Sequence, residues 1–387
     1  MKSILYIARN IPVPGWGEND VILKIADSLR HRYKLRFAFP LELMPPIPFL
    51  RNKSAVFSRL PPSFRSRDFE VDVLRYPRLP SHLLSFSLLP YFSQFNRRRL
   101  KQLPDFDLCH AHYVLPDGYM AWWFKQEHAV PYVLSVREGD IFKLDRQPQS
   151  SRVRRTFMRV LSGADSILVS NNGLVERLSK MGVKACLMPH GIDIDSMLAP
   201  VAPSEDAVKI ICVSQVIPRK NIDWITRALN EYPGASKLEF CLVGEGPQLE
   251  EVTSQMIDRP GLKYRYLGRL PHPETLAWIS KADIFALPSV RETFGLVYLE
   301  AAANRCAVLG TRGTGMWGHF EDGTEMLFHE PNYEDFRDKF FALIDDPKRR
   351  VKMAESGERK VEKHFLWPQL SERYSAIYEE VLSSGHR

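Results

Sequence analysis

Apolar positions along this chain fall into short continuous runs separated by amphipathic stretches, and the alternation persists almost from end to end. Ser3-Ile4-Leu5-Tyr6-Ile7 reads as a strand buried on both faces. A glycine-containing loop follows, then a helix with Val21, Ile22, Ile25, Ala26 and Leu29 on one side. Strands are predicted again at Leu35–Phe39, Val71–Tyr76, Asp107–His112, Pro131–Asp140 and Ala164–Ser170, with a helix over Gly173–Met181. Residues 196–207, rich in Ala, Pro and Ser, read as a linker. Beyond it the alternation restarts, with strands at Val208–Ser214, Leu238–Val243, Ile284–Leu287 and Ala307–Thr311. The final stretch, Phe365–Leu382, places Leu366, Leu370, Tyr374, Ile377, Tyr378 and Val381 at helical spacing. Buried strands alternating with amphipathic helices predict parallel sheets covered by helices, an α/β fold. At 387 residues two domains are the natural expectation.

Residues 41–103 break the rhythm with frequent prolines and with aromatic and leucine residues set among arginines, as in Phe49-Leu50-Arg51 and Arg97-Arg98-Arg99. The apolar run Leu83–Phe92 reads either as a core helix or as a segment lying on a membrane interface.

Composition narrows the class only modestly. Five cysteines stand singly, mostly inside apolar runs, with no CxxC or zinc spacing, and read as buried thiols of a reducing compartment. No apolar stretch is long enough to span a membrane, and the run after Met1-Lys2 is too short for a signal peptide. A cytoplasmic protein is expected, with the inner face of the cell membrane as the other site open to it. The net charge of +7 is concentrated: residues 51–101 carry eleven Lys/Arg against three Asp/Glu. An anionic membrane surface, a phosphorylated acceptor and a merely solvated face all fit that excess. No nucleic-acid-binding motif accompanies it, and no nucleic acid is expected as partner.

Candidate chemistry gathers at strand ends. The strand Ile284–Leu287 stops at Pro288, and an apolar helix begins near Phe294. A helix starting there offers free N–H groups and the positive end of its dipole to a ligand in the crevice. Thr293 is placed to cap it, Gly295 lets a ligand approach, and Glu292 and Glu300 stand about two turns apart. That arrangement suits a sugar–diphosphate–ribose ligand, although two glutamates at this spacing are more often plain surface. Arg219 and Lys220, past another strand end, offer a planar fork and a mobile point charge for a diphosphate. His112, Arg137, Glu138 and Asp140 fall at carboxyl ends of predicted strands, where open α/β sheets bind ligands. Gly15 and Gly17 lie in the first strand–helix loop, where a simple turn or a phosphate site is possible.

Glu292-Thr293-Phe294-Gly295-Leu296 followed by Glu300-Ala301-Ala302-Ala303 resembles the Glu-x7-Glu signature of the retaining glycosyltransferases of family 4, which have the GT-B fold. The resemblance runs from about residue 4 to the final helix, strong over 213–323 and weak over 41–103. It implies two Rossmann-like domains facing across a cleft. An acceptor domain would span residues 1–195 and a nucleotide-sugar domain 196–364, with a terminal helix, 365–387, crossing back to the first.

The resemblance also implies roles. Glu300 binds the ribose hydroxyls, and Gly268 and Arg269 lie where the base is held. Arg219 and Lys220 neutralise the diphosphate, while Glu292, Thr293, Phe294, Gly295 and Leu296 hold the donor sugar. Gly15 and Gly17 face donor phosphates, and His112 matches a histidine common in the family. Arg219, Lys220, Glu292 and His112 form the implied catalytic set. Three positions depart from the pattern: Gly15-Trp16-Gly17 replaces an adjacent glycine pair, His190 an asparagine, and Arg137-Glu138-Gly139-Asp140 a His-Gly-x-Asp motif. Arg137 is read as a partner for donor or acceptor phosphate, with Glu138 and Asp140 beside it. The paired charges would substitute for a metal, so a metal-independent transferase without a cofactor is expected, its co-substrate a nucleotide-sugar, UDP-sugar favoured. The acceptor would be a glycan or lipid-linked molecule in cell-surface polysaccharide or glycolipid synthesis. A nucleotide-sugar epimerase and a non-enzymatic GT-B subunit of a membrane assembly are the alternatives. A sugar phosphorylase would need a pyridoxal phosphate lysine motif that is not evident.

Overall fold

The hydrophobic runs become strands of two separate sheets in a computed structural model that describes residues 1–15, 20–43, 60–78, 86–199 and 206–384. Gly17, Phe49 to Arg51, the start of the Leu83–Phe92 run and residues 200–205 of the expected linker lie outside the described residues. The chain divides into two compact units: 1–169, 175–188 and 371–387 in one, 170–174 and 189–370 in the other. Before its return at Ser371 the first unit runs to Met188, and the short stretch 170–174 belongs with the second.

Unit 1 holds an eight-stranded sheet. Its strands are β1 Ser3–Ile7, β2 Lys34–Leu43, β3 Ser63–Ser66, β4 Phe69–Pro77, β5 Leu108–Ala111, β6 Tyr132–Val136, β7 Ser166–Val169 and β8 Cys186–Leu187. They lie in the order β3-β4-β2-β1-β5-β6-β7-β8, parallel except for the β3–β4 pair at one edge. Strands β5 and β6 are buried at every position, as expected of a sheet covered on both faces. The strand predicted over Pro131–Asp140 ends at Val136, because Glu138–Asp145 is already helix.

The terminal helix, Trp367–Ser384, begins two residues later than its apolar spacing suggested. From Ser371 on it belongs to unit 1, where Tyr374 and Tyr378 are buried. Tyr378 Oη lies 2.8 Å from Tyr6 Oη and 2.7 Å from His110 Nδ1, so the last helix is tied to β1 and β5 by a buried polar chain.

The described part of the Leu83–Phe92 run is not a continuous helix. Short turns, Leu89–Tyr91, Phe92–Phe95 and Arg97–Leu100, pack Leu89 and Phe92 fully into the core. Phe92 meets Tyr119 and Trp123 edge-on, and the buried Asn96 side chain brackets the backbone of Arg75 on β4. The interface reading therefore fails for Leu89 and Phe92, which have no face left for lipid.

Unit 2 holds a six-stranded, wholly parallel sheet. It comprises β9 Val208–Val213, β10 Leu238–Val243, β11 Leu262–Tyr266, β12 Ile284–Ala286, β13 Ala307–Thr311 and β14 Leu327–His329, ordered β11-β10-β9-β12-β13-β14. Of the cysteines, four are buried thiols; Cys186, expected buried, is exposed on edge strand β8. Among the described residues no helix is long and apolar enough to cross a membrane.

Candidate functional site

Strand order in unit 2 reverses between β9 and β12, which pair directly, and connections leave them in opposite directions. Such a switch point opens a crevice at the carboxyl ends of the two strands. The loops that follow β9 and β12 carry Arg219, Lys220 and Glu292, and several bonds stitch them together. Val290 N–H donates to Arg219 O at 3.1 Å, the Arg219 guanidinium donates to Arg291 O at 2.7 Å, and Asn221 Nδ2 to Pro288 O at 3.0 Å. Lys220 Nζ is ion-paired with Glu292 Oε2, and Arg219 Nη1 stands 3.8 Å from the same oxygen. The Lys220 and Glu292 side chains are only 9% and 15% exposed, so this pair works in a poorly screened setting.

A third loop fixes Glu292 from behind. Its N–H donates to Thr314 Oγ1 at 2.6 Å, and its carbonyl accepts from the Thr314 hydroxyl at 2.7 Å and Gly315 N–H at 3.0 Å. The carbonyl of Thr293 accepts from Ser170 Oγ at 2.6 Å and Asn171 Nδ2 at 2.8 Å. Thr314, in the sequence Gly313-Thr314-Gly315, is a residue the sequence did not single out. Nothing local in Ser170-Asn171 foretold its contact with residue 293, more than a hundred positions away.

The helix after β12 runs over Leu296–Ala303, two residues later than expected. Phe294 is taken up by the core, edge-on to His190 and His319, and Gly295 turns into the left-handed region at φ 77°. Gly295 is the N-cap, so the Thr293 hydroxyl does not cap the helix, and no side chain does. A Cβ on Gly295 would sit 2.6 Å from Tyr298 Cδ2, a second reason for glycine. The first amides of an uncapped helix have no intrahelical acceptor and remain available to an anion.

Glu300 projects from this helix, its side chain 12% exposed, with Oε1 2.8 Å from Nε2 of His272 at the start of helix His272–Ile279. His272 is a further residue the sequence did not single out. Gly268, at φ 68°, gives its carbonyl to Gly244 N–H at 2.8 Å, and Arg269 is exposed next to it. A Cβ at Gly244 would lie 1.8 Å from Ser214 O, so the turns after β9 and β10 require that glycine to close together. Unit 2 thus gathers Arg219, Lys220, Glu292, Thr293, Phe294, Gly295 and Leu296 at its switch point, with Glu300 further along the same helix.

The residues expected in unit 1 are arranged differently. Gly15 adopts φ 78° with open space around it. His112 is not an exposed strand tip: it is fully buried, stacked on Tyr6 at 5.3 Å and 4.1 Å from the ring of His110. His110 itself bridges Tyr378 and Ser135, and burial pulls its pKa down to about 3. Arg137 is the N-cap of helix Glu138–Asp145, and the buried Asp140 carboxylate accepts the Arg137 N–H at 3.0 Å. Asp140 is therefore committed to a capping interaction, Arg137 is largely buried, and Glu138 is half-buried. Within unit 1 a cavity of about 270 Å³ is lined by Arg9, Arg78, Lys143 and Arg146 together with Asp140 and apolar side chains including Phe142. Arg9 N–H donates to the buried Asp117 carboxylate at 3.2 Å, and burial pushes the Asp117 pKa up to about 7.

Comparisons with known proteins bear on the family and the fold. Residues 193–360 match the profile of the glycosyl transferases group 1 family, and residues 48–189 match that of the glycosyl transferase 4-like domain. D-inositol 3-phosphate glycosyltransferase of Corynebacterium jeikeium is 26% identical over 318 residues, covering 73% of this chain and 74% of the relative. Among solved structures, sucrose-phosphate synthase from Thermosynechococcus elongatus superposes with a TM-score of 0.75 at 18% identity, covering 99% of this chain and 100% of that one. Anabaena HepE in complex with UDP and glucose superposes with a TM-score of 0.68 at 15% identity, covering 98% and 100%. At such identities the structural likenesses speak for the fold alone, two Rossmann-like sheets of the GT-B type. Between them the two family profiles run over most of the chain, which belongs to the GT-B glycosyltransferases of family 4.

Proposed function

We propose that this glycosyltransferase moves a sugar from a nucleotide-diphosphate-sugar, UDP-sugar favoured, to a hydroxyl of a glycan or lipid-linked acceptor, with retention and without a metal or other cofactor. The observation that carries the reading is the placement of Arg219 and Lys220 against Glu292 at the switch point, beside an uncapped helix start. Departure of a nucleoside diphosphate builds negative charge, and fixed cations and amides in a poorly solvated site stabilise that charge most as it develops. Lys220 keeps further N–H donors beyond the one facing Glu292, and Arg219 beyond the one given to Arg291 O. These donors take the role a divalent ion would otherwise fill. Glu292 and the amides of Phe294 to Leu296 hold the donor sugar, and Glu300, oriented by His272, takes the ribose hydroxyls.

Retention fits attack from the leaving-group side, with a phosphate oxygen accepting the acceptor's proton. That route asks for no protein base, in keeping with a buried His112 and with Arg137 in place of the family's histidine. The acceptor belongs in the basic cavity of unit 1, where Arg9, Arg78, Lys143 and Arg146 suit a phosphate-bearing group. The similar protein named for inositol 3-phosphate and the neighbour holding UDP and glucose support both halves of the reading. Manufacture of cell-surface polysaccharide or glycolipid is the setting.

The test is binding and slow hydrolysis of UDP-, GDP- and ADP-sugars with EDTA present, beside Glu300→Ala and Lys220→Ala. One donor should bind, with affinity falling sharply in both variants and EDTA without effect. Binding that requires a divalent ion overturns metal independence. Conversion of the donor sugar without any acceptor points to an epimerase, and failure to bind any donor points to a non-enzymatic subunit.

A further inference from the structure

The edge of unit 1 presents a surface that the transfer reaction does not use. The turns Leu89–Tyr91, Phe92–Phe95 and Arg97–Leu100 bury Leu89, Phe92 and Asn96, and the same winding turns other side chains outward. Tyr91 is 49% and Phe95 57% exposed, one helical turn apart. Arg97, Arg98 and Lys101 are exposed alongside, with no ion pair among the described residues. Next to Phe95 a groove of about 380 Å³ runs against the β3–β4 edge, lined by Arg75, Arg97, Arg98 and Arg99 and by no carboxylate. Arg99 is already paired with Asp72 at 2.8 Å, and Arg75 donates to Leu60 O at 3.0 Å. Arg97, Arg98 and Lys101 therefore keep uncompensated charge.

We infer that this edge docks on an anionic lipid surface, Tyr91 and Phe95 entering the headgroup level and the arginine groove receiving lipid phosphates. Charge complementarity selects the partner: clustered cations are attracted to anionic lipid by about 1 kcal/mol each, and amphipathic aromatic rings settle at the interface. Tyr91 and Phe95 add two exposed rings beside the cations, which a solvated charge run alone does not supply. A nucleic acid would call for a longer basic track than these few helical turns and one short groove supply. The surface differs from the one the sequence suggested, because the apolar run contributes its buried side to the core and only its outer side to the patch. It stands independently of the proposed donor chemistry, and its test needs no turnover.

The measurement is co-sedimentation of the full chain with vesicles of phosphatidylcholine alone and with phosphatidylglycerol added. Binding is expected only with phosphatidylglycerol, and it should weaken as salt rises. Arg97→Gln with Arg98→Gln should lower the partition coefficient roughly 30-fold, from about 1 kcal/mol per basic residue. Tyr91→Ser with Phe95→Ser should weaken it at fixed charge, which distinguishes insertion from a diffuse electrostatic cloud. These side chains are exposed, so thermal unfolding of each variant should match the parent and show that the fold is intact. No preference for phosphatidylglycerol, or binding indifferent to both double variants, overturns the inference. So does a single-stranded oligonucleotide that binds through the same arginines and displaces the protein from vesicles.

Discussion

Lys220 and Glu292 depend on each other more than on solvent. In the proposed reaction Lys220→Ala removes a cation from the leaving group, and it leaves the Glu292 carboxylate, only 15% exposed, with Arg219 Nη1 at 3.8 Å as its remaining cation. The expected loss in kcat is about 10²–10³-fold, the usual size for one preorganised donor at developing charge. A folding cost of up to about 3 kcal/mol should accompany it, because breaking a buried pair leaves its partner with only the more distant Arg219. Urea unfolding measured beside the kinetics separates the two effects. Gly295 is a different kind of residue, needed for its backbone. Gly295→Ala forces a side chain into φ 77° and against Tyr298, so about 1–2 kcal/mol of stability should be lost. Donor affinity should fall with it, since the helix start that presents the amides has to shift. An alanine variant with unchanged donor binding would show that these amides do not hold the donor.

At the scale of elements, the terminal helix Trp367–Ser384 shows how a distant segment completes a sheet. Tyr378 lies between Tyr6 on β1 and His110 on β5, in the middle of a polar chain closed off from water. Tyr378→Phe keeps the ring and deletes the hydroxyl, leaving His110 Nδ1 and Tyr6 Oη each short of a partner. The expected cost is about 1–3 kcal/mol in urea unfolding, with little change in donor binding, because the loss is confined to unit 1. The apolar spacing of this helix was legible from the sequence, and so were β9, β10, β12 and β13 of unit 2, whereas the outer strands β11 and β14 were not predicted. The turns of residues 86–100 were not, because a helical turn with one buried and one exposed side looks, over so few residues, like a continuous apolar run.

For the whole molecule, two buried titrating groups, one in each unit, make stability respond to pH in opposite directions. Burial lifts Asp117 in unit 1 from 3.8 to about 7. Between those values the native state keeps a proton that the unfolded chain has released, so this contribution is lost as pH rises through the window. His329 in unit 2 accepts from or donates to Thr311 Oγ1 at 3.0 Å and donates Nδ1–H to Glu330 O at 2.6 Å; burial lowers its pKa to about 4. With Nδ1 protonated, Nε2 is the acceptor for the Thr311 hydroxyl; a second proton reverses that bond and places a positive charge in a buried site, where desolvation opposes it. Here the unfolded chain takes up the proton first, so the contribution is present above pH 6.5 and is lost as pH falls toward about 4. Asp117→Asn should therefore gain stability relative to the parent as pH rises from about 5 to about 8, and His329→Gln should gain relative to it as pH falls from about 7 to about 4. Melting curves at several pH values read both, and parallel pH profiles for parent and variant would contradict the assignment.

What the sequence determined by itself was local or patterned. The α/β alternation, the strand ends carrying Arg219, Lys220 and Glu292, and the Glu-x7-Glu spacing are properties of short stretches, and short stretches carry their own hydrophobic period and turn chemistry. Tertiary structure decided which distant stretches meet. It set Ser170 and Asn171 behind Thr293, Thr314 behind Glu292 and His272 beside Glu300. It also drew His112 into the core and made Arg137 and Asp140 a helix cap. The physical reason is the same in each case. A polar side chain at a strand end faces water or packs against a neighbour according to which elements cover it, and in a parallel sheet those neighbours come from far away in the chain.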